Sequence, residues 1–114
     1  MQTEAALDAA FAALADPTRR AILARLASGG DATVLELARP FDVTLPAITK
    51  HLKVLEKAGL ITRGRDAQRR PCALRPEPLA DVTQWVDHTR QAWNARLDRL
   101  EGFLATLQEK KADS

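Results

Sequence analysis

The last third of the chain carries an apolar seam that constrains every fold it can adopt. From Leu79 the seam runs through Val82, Val86, Thr89, Trp93, Leu97, Leu100, Leu104 and Leu107, at spacings of 3, 4, 3, 4, 4, 3, 4 and 3 residues. Such spacing keeps side chains on one side of an α-helix and is close to the heptad seam of paired helices. At 1.5 Å per residue a helix over about residues 77–108 is roughly 48 Å long. A compact 100-residue domain has a radius of gyration of only about 13 Å. The chain has 114 residues, enough for one domain. The helix must therefore project beyond that domain's core or be covered by another chain, and a homodimer is the expectation.

Composition narrows the chemistry. The chain has two histidines, two serines, one cysteine and no tyrosine, so a hydrolase triad or a self-contained tetrahedral metal site has almost nothing to be built from. No enzymatic activity, cofactor or metal is expected. Uncharged stretches such as Ala9 to Ala15 and Val43 to Thr49 reach only seven residues, against roughly 18 for a membrane span. Glu4 and Asp8 interrupt the N-terminal stretch, which lacks the basic start and apolar core of a secretory signal, so a cytoplasmic protein is expected. The lone Cys72 fits a compartment without disulfides.

Net charge is +2, but residues 44–75 hold eight basic side chains against Glu56 and Asp66, or +6, while each flank sums to −2. A solvated face mixes both signs. Basic charge focused in one segment is the electrostatic footprint of a nucleic-acid surface.

Helix punctuation divides the rest. Leu7, Ala10, Phe11 and Leu14 recur at helical spacing, and Asp16-Pro17 supplies a capping oxygen followed by a proline at the first helical position. A second helix then carries Ile22, Leu23 and Leu26 inward and stops at Gly29-Gly30. Thr33 and Glu36 fit a capping box for a short third helix, limited by Pro40. Thr44 caps a fourth, with Ile48, Leu52 and Leu55 as its apolar stripe and Gly59 as its stop. Its other face shows Thr49, Lys50, Lys53 and Lys57. Leu60 to Thr62 and Cys72 to Leu74 read as two short strands, with Arg63 to Arg70 as a hairpin tip; Pro71 restricts the second strand to an edge or a later start.

Two short helices joined by a tight turn, the second basic on its exposed face, describe a helix-turn-helix at about residues 33–58; a basic hairpin at about 60–75 makes it winged. The expected fold is mainly α, one domain over residues 1–114, with a short β-hairpin wing and a long C-terminal dimerisation helix. The start of the fourth helix offers backbone N–H groups and a positive dipole end to phosphates. Thr44, Thr49 and Lys50 lie where they reach base edges, while Lys53 and the wing residues Arg63, Arg65, Arg69 and Arg70 neutralise phosphates.

Three runs, Phe11 to Leu23, Pro46 to Ile61 and Arg96 to Glu101, closely resemble ArsR/SmtB-family winged-helix transcriptional regulators, and the resemblance covers about residues 4–108. It implies a homodimer that packs its first and last helices together, here Leu7 and Phe11 with Val82, Val86, Trp93, Leu97, Leu100 and Leu104. It also implies two recognition helices on an inverted-repeat operator in double-stranded DNA, repression as the usual outcome, and Pro46, Ala47 and His51 among the DNA-facing residues. The family's metal sensors place cysteines in the third helix; the matching positions here are Thr33 and Leu35, so that site is absent. Asp87 and His88, adjacent in sequence, do not share a face as a second metal site would require. With Trp85, Trp93 and the Arg96 to Glu101 run, the chain resembles a metal-independent branch whose inducers are mostly unknown.

Plainer readings stand beside these. His51 contacts phosphate or packs beside Leu52; His88 is an exposed helix residue; Cys72 is a small strand residue, with a redox role kept open only by nearby Arg69 and Arg70. Trp85 and Trp93 pack or line an effector pocket. Arg19 and Arg20 touch DNA or pair within the chain. A protein-interaction module using the long last helix is the competing function.

Overall fold

The computed structural model describes residues 3–64 and 71–112. Its elements follow in the order α1 (Glu4–Leu14), α2 (Pro17–Gly29), α3 (Val34–Ala38), α4 (Leu45–Lys57), β1 (Ile61–Thr62), β2 (Ala73–Leu74) and α5 (Glu77–Ala112). The fold is thus mainly helical, with one small antiparallel sheet and a long last helix, four residues longer than the seam required. Two compact units divide it, Met1–Val82 and Thr83–Ser114.

Each of the first four helices starts on a side-chain oxygen that takes up a backbone N–H the helix leaves unpaired. Thr3 accepts from Ala6, Asp16 from Arg19, Thr33 from Glu36 and Thr44 from Ala47, at 3.0, 3.0, 3.2 and 3.3 Å. Around Thr33 the full capping box forms, because Glu36 accepts in return from the Thr33 N–H at 3.3 Å. The Glu36 carboxyl is held below its ordinary value of 4.5, first by that backbone N–H and then by the Thr33 hydroxyl. Hydrogen bonding favours the charged form.

The end of α4 is equally specific. Gly59 has φ of 75°, its N–H donates to Glu56, and the Leu60 N–H reaches back to the Leu55 carbonyl at 3.0 Å. This is a Schellman motif, completed by the apolar pair Leu55 and Leu60, both fully buried. It turns the chain from α4 directly into β1.

In the first unit, Ile22, Leu23 and Leu26 of α2, Leu37 of α3, and Ile48, Leu52 and Leu55 of α4 meet Leu60, Ile61 and Cys72 in one core. Ala13 supplies the share of α1. The buried residues of α1 are Ala10 and Ala13, whereas Phe11 is 38% exposed. Small residues let α1 approach α2 closely. The Leu7, Phe11 and Leu14 part of the expected stripe is turned away from full burial.

The sheet pairs Ile61 with Leu74 and Thr62 with Ala73. A further bridge, absent from the sequence reading, joins Ala32 to Cys72 through two backbone hydrogen bonds of 3.1 and 2.7 Å. Cys72 therefore pairs with the turn before α3 and not with β1. Helix α5, which makes up the second unit from Thr83 onward, is unbroken and has no buried residue among those described. No helix is long and apolar enough to cross a membrane, among the described residues.

A Cβ on Gly59 would meet only Pro78, at an ordinary 3.7 Å, so the cost of Gly59→Ala is conformational. Urea unfolding should show a loss of about 1–2 kcal/mol, the left-handed penalty for an L-residue. An unchanged midpoint would mean that the turn relaxes out of its left-handed geometry.

Candidate nucleic-acid interface

Helix α4 is two-faced because residues around a helix advance by about 100° each. Ile48, Leu52 and Leu55 are fully buried and fix one side against the core. Lys50, Lys53 and Lys57 then fall within about 60° of arc on the opposite side, and all three are exposed. Pro46 shares that outward side and is exposed, while the half-buried Thr49 and Ala47 flank it on either hand. Thr44 is exposed at the start of the helix.

His51 is placed differently. It lies on the edge nearer the core, with 24% of its side chain exposed, 3.9 Å from the Asp16 carboxylate and 3.3 Å from the Arg19 guanidinium. The Asp16 carboxyl sits below its ordinary 3.8, chiefly through the Arg19 backbone N–H, with the charges of His51 and Arg19 contributing less.

Arg19 and Arg20 follow the intrachain reading. Arg19 donates to the Ala13 and Ala12 carbonyls at 2.7 and 3.0 Å, and Arg20 to the Leu14 carbonyl at 2.8 Å. These carbonyls lie at the end of α1, where that of Ala12 also accepts from the Ala15 N–H at 3.2 Å, and cationic donors there meet the negative end of the helix dipole. The start of α4 is less generous to phosphates than expected. Pro46 has no N–H to give, and the Ala47 N–H is already taken by Thr44.

Of the wing arginines, Arg63 is half-buried; Arg65, Arg69 and Arg70 lie outside the described residues. Burial pushes the Cys72 thiol above its ordinary 9.0, with Arg63 opposing and Glu56 assisting. A buried thiol of raised pKa is a poor nucleophile. The sequence reading missed three exposed apolar side chains on α4 or just before it. Val43, Leu45 and Val54 are 45%, 46% and 40% exposed, and apolar groups of this kind contact thymine methyls in the major groove. For Val54 the signal was visible as an apolar position outside the Ile48, Leu52, Leu55 stripe, whereas Leu45 continues that stripe at helical spacing and is exposed only because it lies at the start of the helix.

Along α5, Val86, Trp93, Leu97, Leu100 and Leu104 are 38 to 57% exposed in the single chain, and Val82 is half-buried. Leu7 on α1 is half-buried as well. Trp85 and Trp93 are both about half exposed, and eight residues separate them by about 80° of arc. The Arg96 guanidinium lies over the Trp93 ring, 5.6 Å from its centre. His88 is exposed, and no three His, Cys, Asp or Glu side chains gather among the described residues.

A short helix, a turn and a basic amphipathic helix followed by a small antiparallel hairpin define a winged helix-turn-helix regulator of transcription. A family profile described as a helix-turn-helix domain matches residues 14–64. The HTH-type transcriptional regulator Rv2034 of Mycobacterium tuberculosis is 49% identical over 87 residues, covering 76% of this chain and 80% of that protein. The transcriptional repressor SdpR of Bacillus subtilis is 38% identical over 76 residues, covering 67% and 83%. A crystal structure of an ArsR family transcriptional regulator superposes with a TM-score of 0.75 at 44% identity, covering 82% of this chain and 95% of that one. An ArsR-like regulator from Rhodococcus sp. RHA1 superposes at 0.72 with 28% identity, covering 87% and 92%. The chain belongs to the ArsR family of DNA-binding transcriptional regulators and is not an enzyme.

Lys50→Ala should cost about 1–3 kcal/mol in binding to a cognate site and less on scrambled DNA, the mark of a base-reading side chain. Equal losses on both duplexes, with a salt slope reduced by about 0.9, would assign Lys50 to phosphate alone.

Proposed function

We propose that this regulator acts as a homodimeric repressor, in which two copies of α4 read an inverted-repeat operator in double-stranded DNA. The whole chain serves as one winged-helix domain. Thr44, Pro46, Ala47, Thr49 and Lys50 face base edges, Lys53 and the wing arginines Arg63, Arg65, Arg69 and Arg70 meet phosphates, and His51 borders the contact. The observation that carries this reading is the triplet Lys50, Lys53 and Lys57 exposed on one side of α4, opposite Ile48, Leu52 and Leu55 fixed in the core. Repression is supported by the similarity to SdpR, a transcriptional repressor.

A second copy is supported by the half-exposed seam of Val86, Trp93, Leu97, Leu100 and Leu104, which is too extensive to leave in water. Leu7, Phe11 and Val82 are assigned to dimer contacts as well. The releasing signal is independent of a metal in α3, because Thr33 and Leu35 offer no sulfur and the Thr33 hydroxyl is committed to the capping box.

Fluorescence anisotropy against the DNA upstream of the protein's own gene and against a scrambled duplex, over a salt series, tests the reading. Selective binding is expected, with log affinity falling by about 0.9 per phosphate neutralised and two protected half-sites roughly 34–36 Å apart. Binding indifferent to salt, or protection of one unpaired half-site, would sink it. Absence of DNA binding together with a stable complex with an unrelated protein would establish the interaction module instead.

Trp93→Ala reports on the dimer. The residue is 56% exposed in one chain, so roughly 100 Å² of each ring remains to be covered, worth about 2.5 kcal/mol. Sedimentation over a dilution series should show dimer dissociation strengthened at least tenfold. No change would remove Trp93 from the interface.

A further inference from the structure

Three groups from separate elements meet where α1 ends. Arg19, on the first turn of α2, sends Nε to the Ala13 carbonyl at 2.7 Å and one terminal nitrogen to the Ala12 carbonyl at 3.0 Å. Its other terminal nitrogen lies 3.3 Å from Nδ1 of His51 on α4. Asp16, which caps α2, lies 3.9 Å from the same Nδ1. One planar side chain thus spans three helices, with each arm of its fork used.

A guanidinium can only donate hydrogen bonds, so Nδ1 of His51 must present its lone pair to Arg19. The carboxylate of Asp16 can only accept, and a bond to it would need a proton on that same nitrogen. The two contacts are therefore exclusive. At 3.3 Å the Arg19 contact is within hydrogen-bonding distance, whereas 3.9 Å to Asp16 is not. The neutral ring must then carry its proton on Nε2.

Resting on the reading of α4 as the DNA-reading helix, we propose that Arg19 is a positioning residue that ties α4 to the end of α1 by donating to His51 Nδ1, which holds the ring in its Nε2–H form. The link is made through the edge of α4 and leaves the outward lysines untouched. Arg19 commits three of its five N–H groups to Ala12, Ala13 and His51, so its part in this proposal is the link between helices and not a phosphate contact.

Nitrogen-15 NMR of the imidazole in the full-length wild-type protein tests the first half without DNA, so a failure here is separable from a failure of operator binding. The expected spectrum of the neutral ring shows a protonated Nε2 and a bare Nδ1; a protonated Nδ1 overturns the proposal. The second half uses a labelled duplex recovered by selection from random sequence. Arg19→Met should weaken binding about tenfold, as loss of a charge-assisted hydrogen bond does, with an unchanged salt slope and a mixture of ring tautomers. His51→Leu should cost less in that variant than in the wild type, since both changes break the same Arg19–His51 link, and an equal cost in both backgrounds overturns the proposal. A slope reduced by about 0.9 would make Arg19 a phosphate contact and overturn the proposal. Should Arg19→Met fail to fold, His51→Asn and His51→Leu replace it. Asparagine keeps an acceptor at the Nδ1 position and should retain binding that leucine loses; equal loss from both overturns the link.

Discussion

Burial of Ile48, Leu52 and Leu55 on one side of α4 is the constraint from which the rest follows. None of the three has measurable exposure, and removing any such aliphatic side chain from a packed core costs about 2–5 kcal/mol. With that side fixed, helical geometry alone decides where Lys50, Lys53 and Lys57 point. The basic face is therefore a consequence of the core and does not need its own support. The same burial reaches past the helix end, because Leu55 and Leu60 close the turn that delivers the chain to the wing.

Electrostatics and backbone geometry cooperate around that core. Thr3, Asp16, Thr33 and Thr44 each meet a helix N-terminus with an oxygen, and Arg19 and Arg20 meet the C-terminus of α1 with nitrogens. The short α3, only five residues long, would not persist alone. It is held by the capping box at one end and by Leu37 in the core. The helix-turn-helix is thus a product of local chemistry at its ends and shared burial between.

Much of this was legible in the residue order because caps, prolines and periodic apolar positions act over three or four residues. Asp16-Pro17, the Thr33 and Glu36 pair, the stripe of α4 and the length of α5 all appear where local rules put them. Two other kinds of feature were not legible. The pairing of Ala32 with Cys72 joins residues forty positions apart, and two-residue strands leave no alternation to read. The reach of Arg19 depends on how three helices meet, which no local pattern encodes. At the candidate site, the outward lysines follow from periodicity, whereas the inward set of His51 and the exposure of Leu45 required the packed structure.

The seam of α5 changes phase at Trp93, where two steps of four take Val86 to Leu97 in eleven residues. A heptad repeat runs at 3.5 residues per turn and winds partners into a left-handed supercoil, while eleven residues over three turns give about 3.67 and favour the opposite hand. Across the whole seam 28 residues take eight steps, or 3.5 per step, so the heptad tendency prevails and the helix is suited to wind gently around a partner. Helices wound in this way stay in register along their length and do not part on either side of a single crossing. In the proposed dimer the contact would then be shared along the seam of α5, and trimming the helix beyond Leu107 would leave it whole.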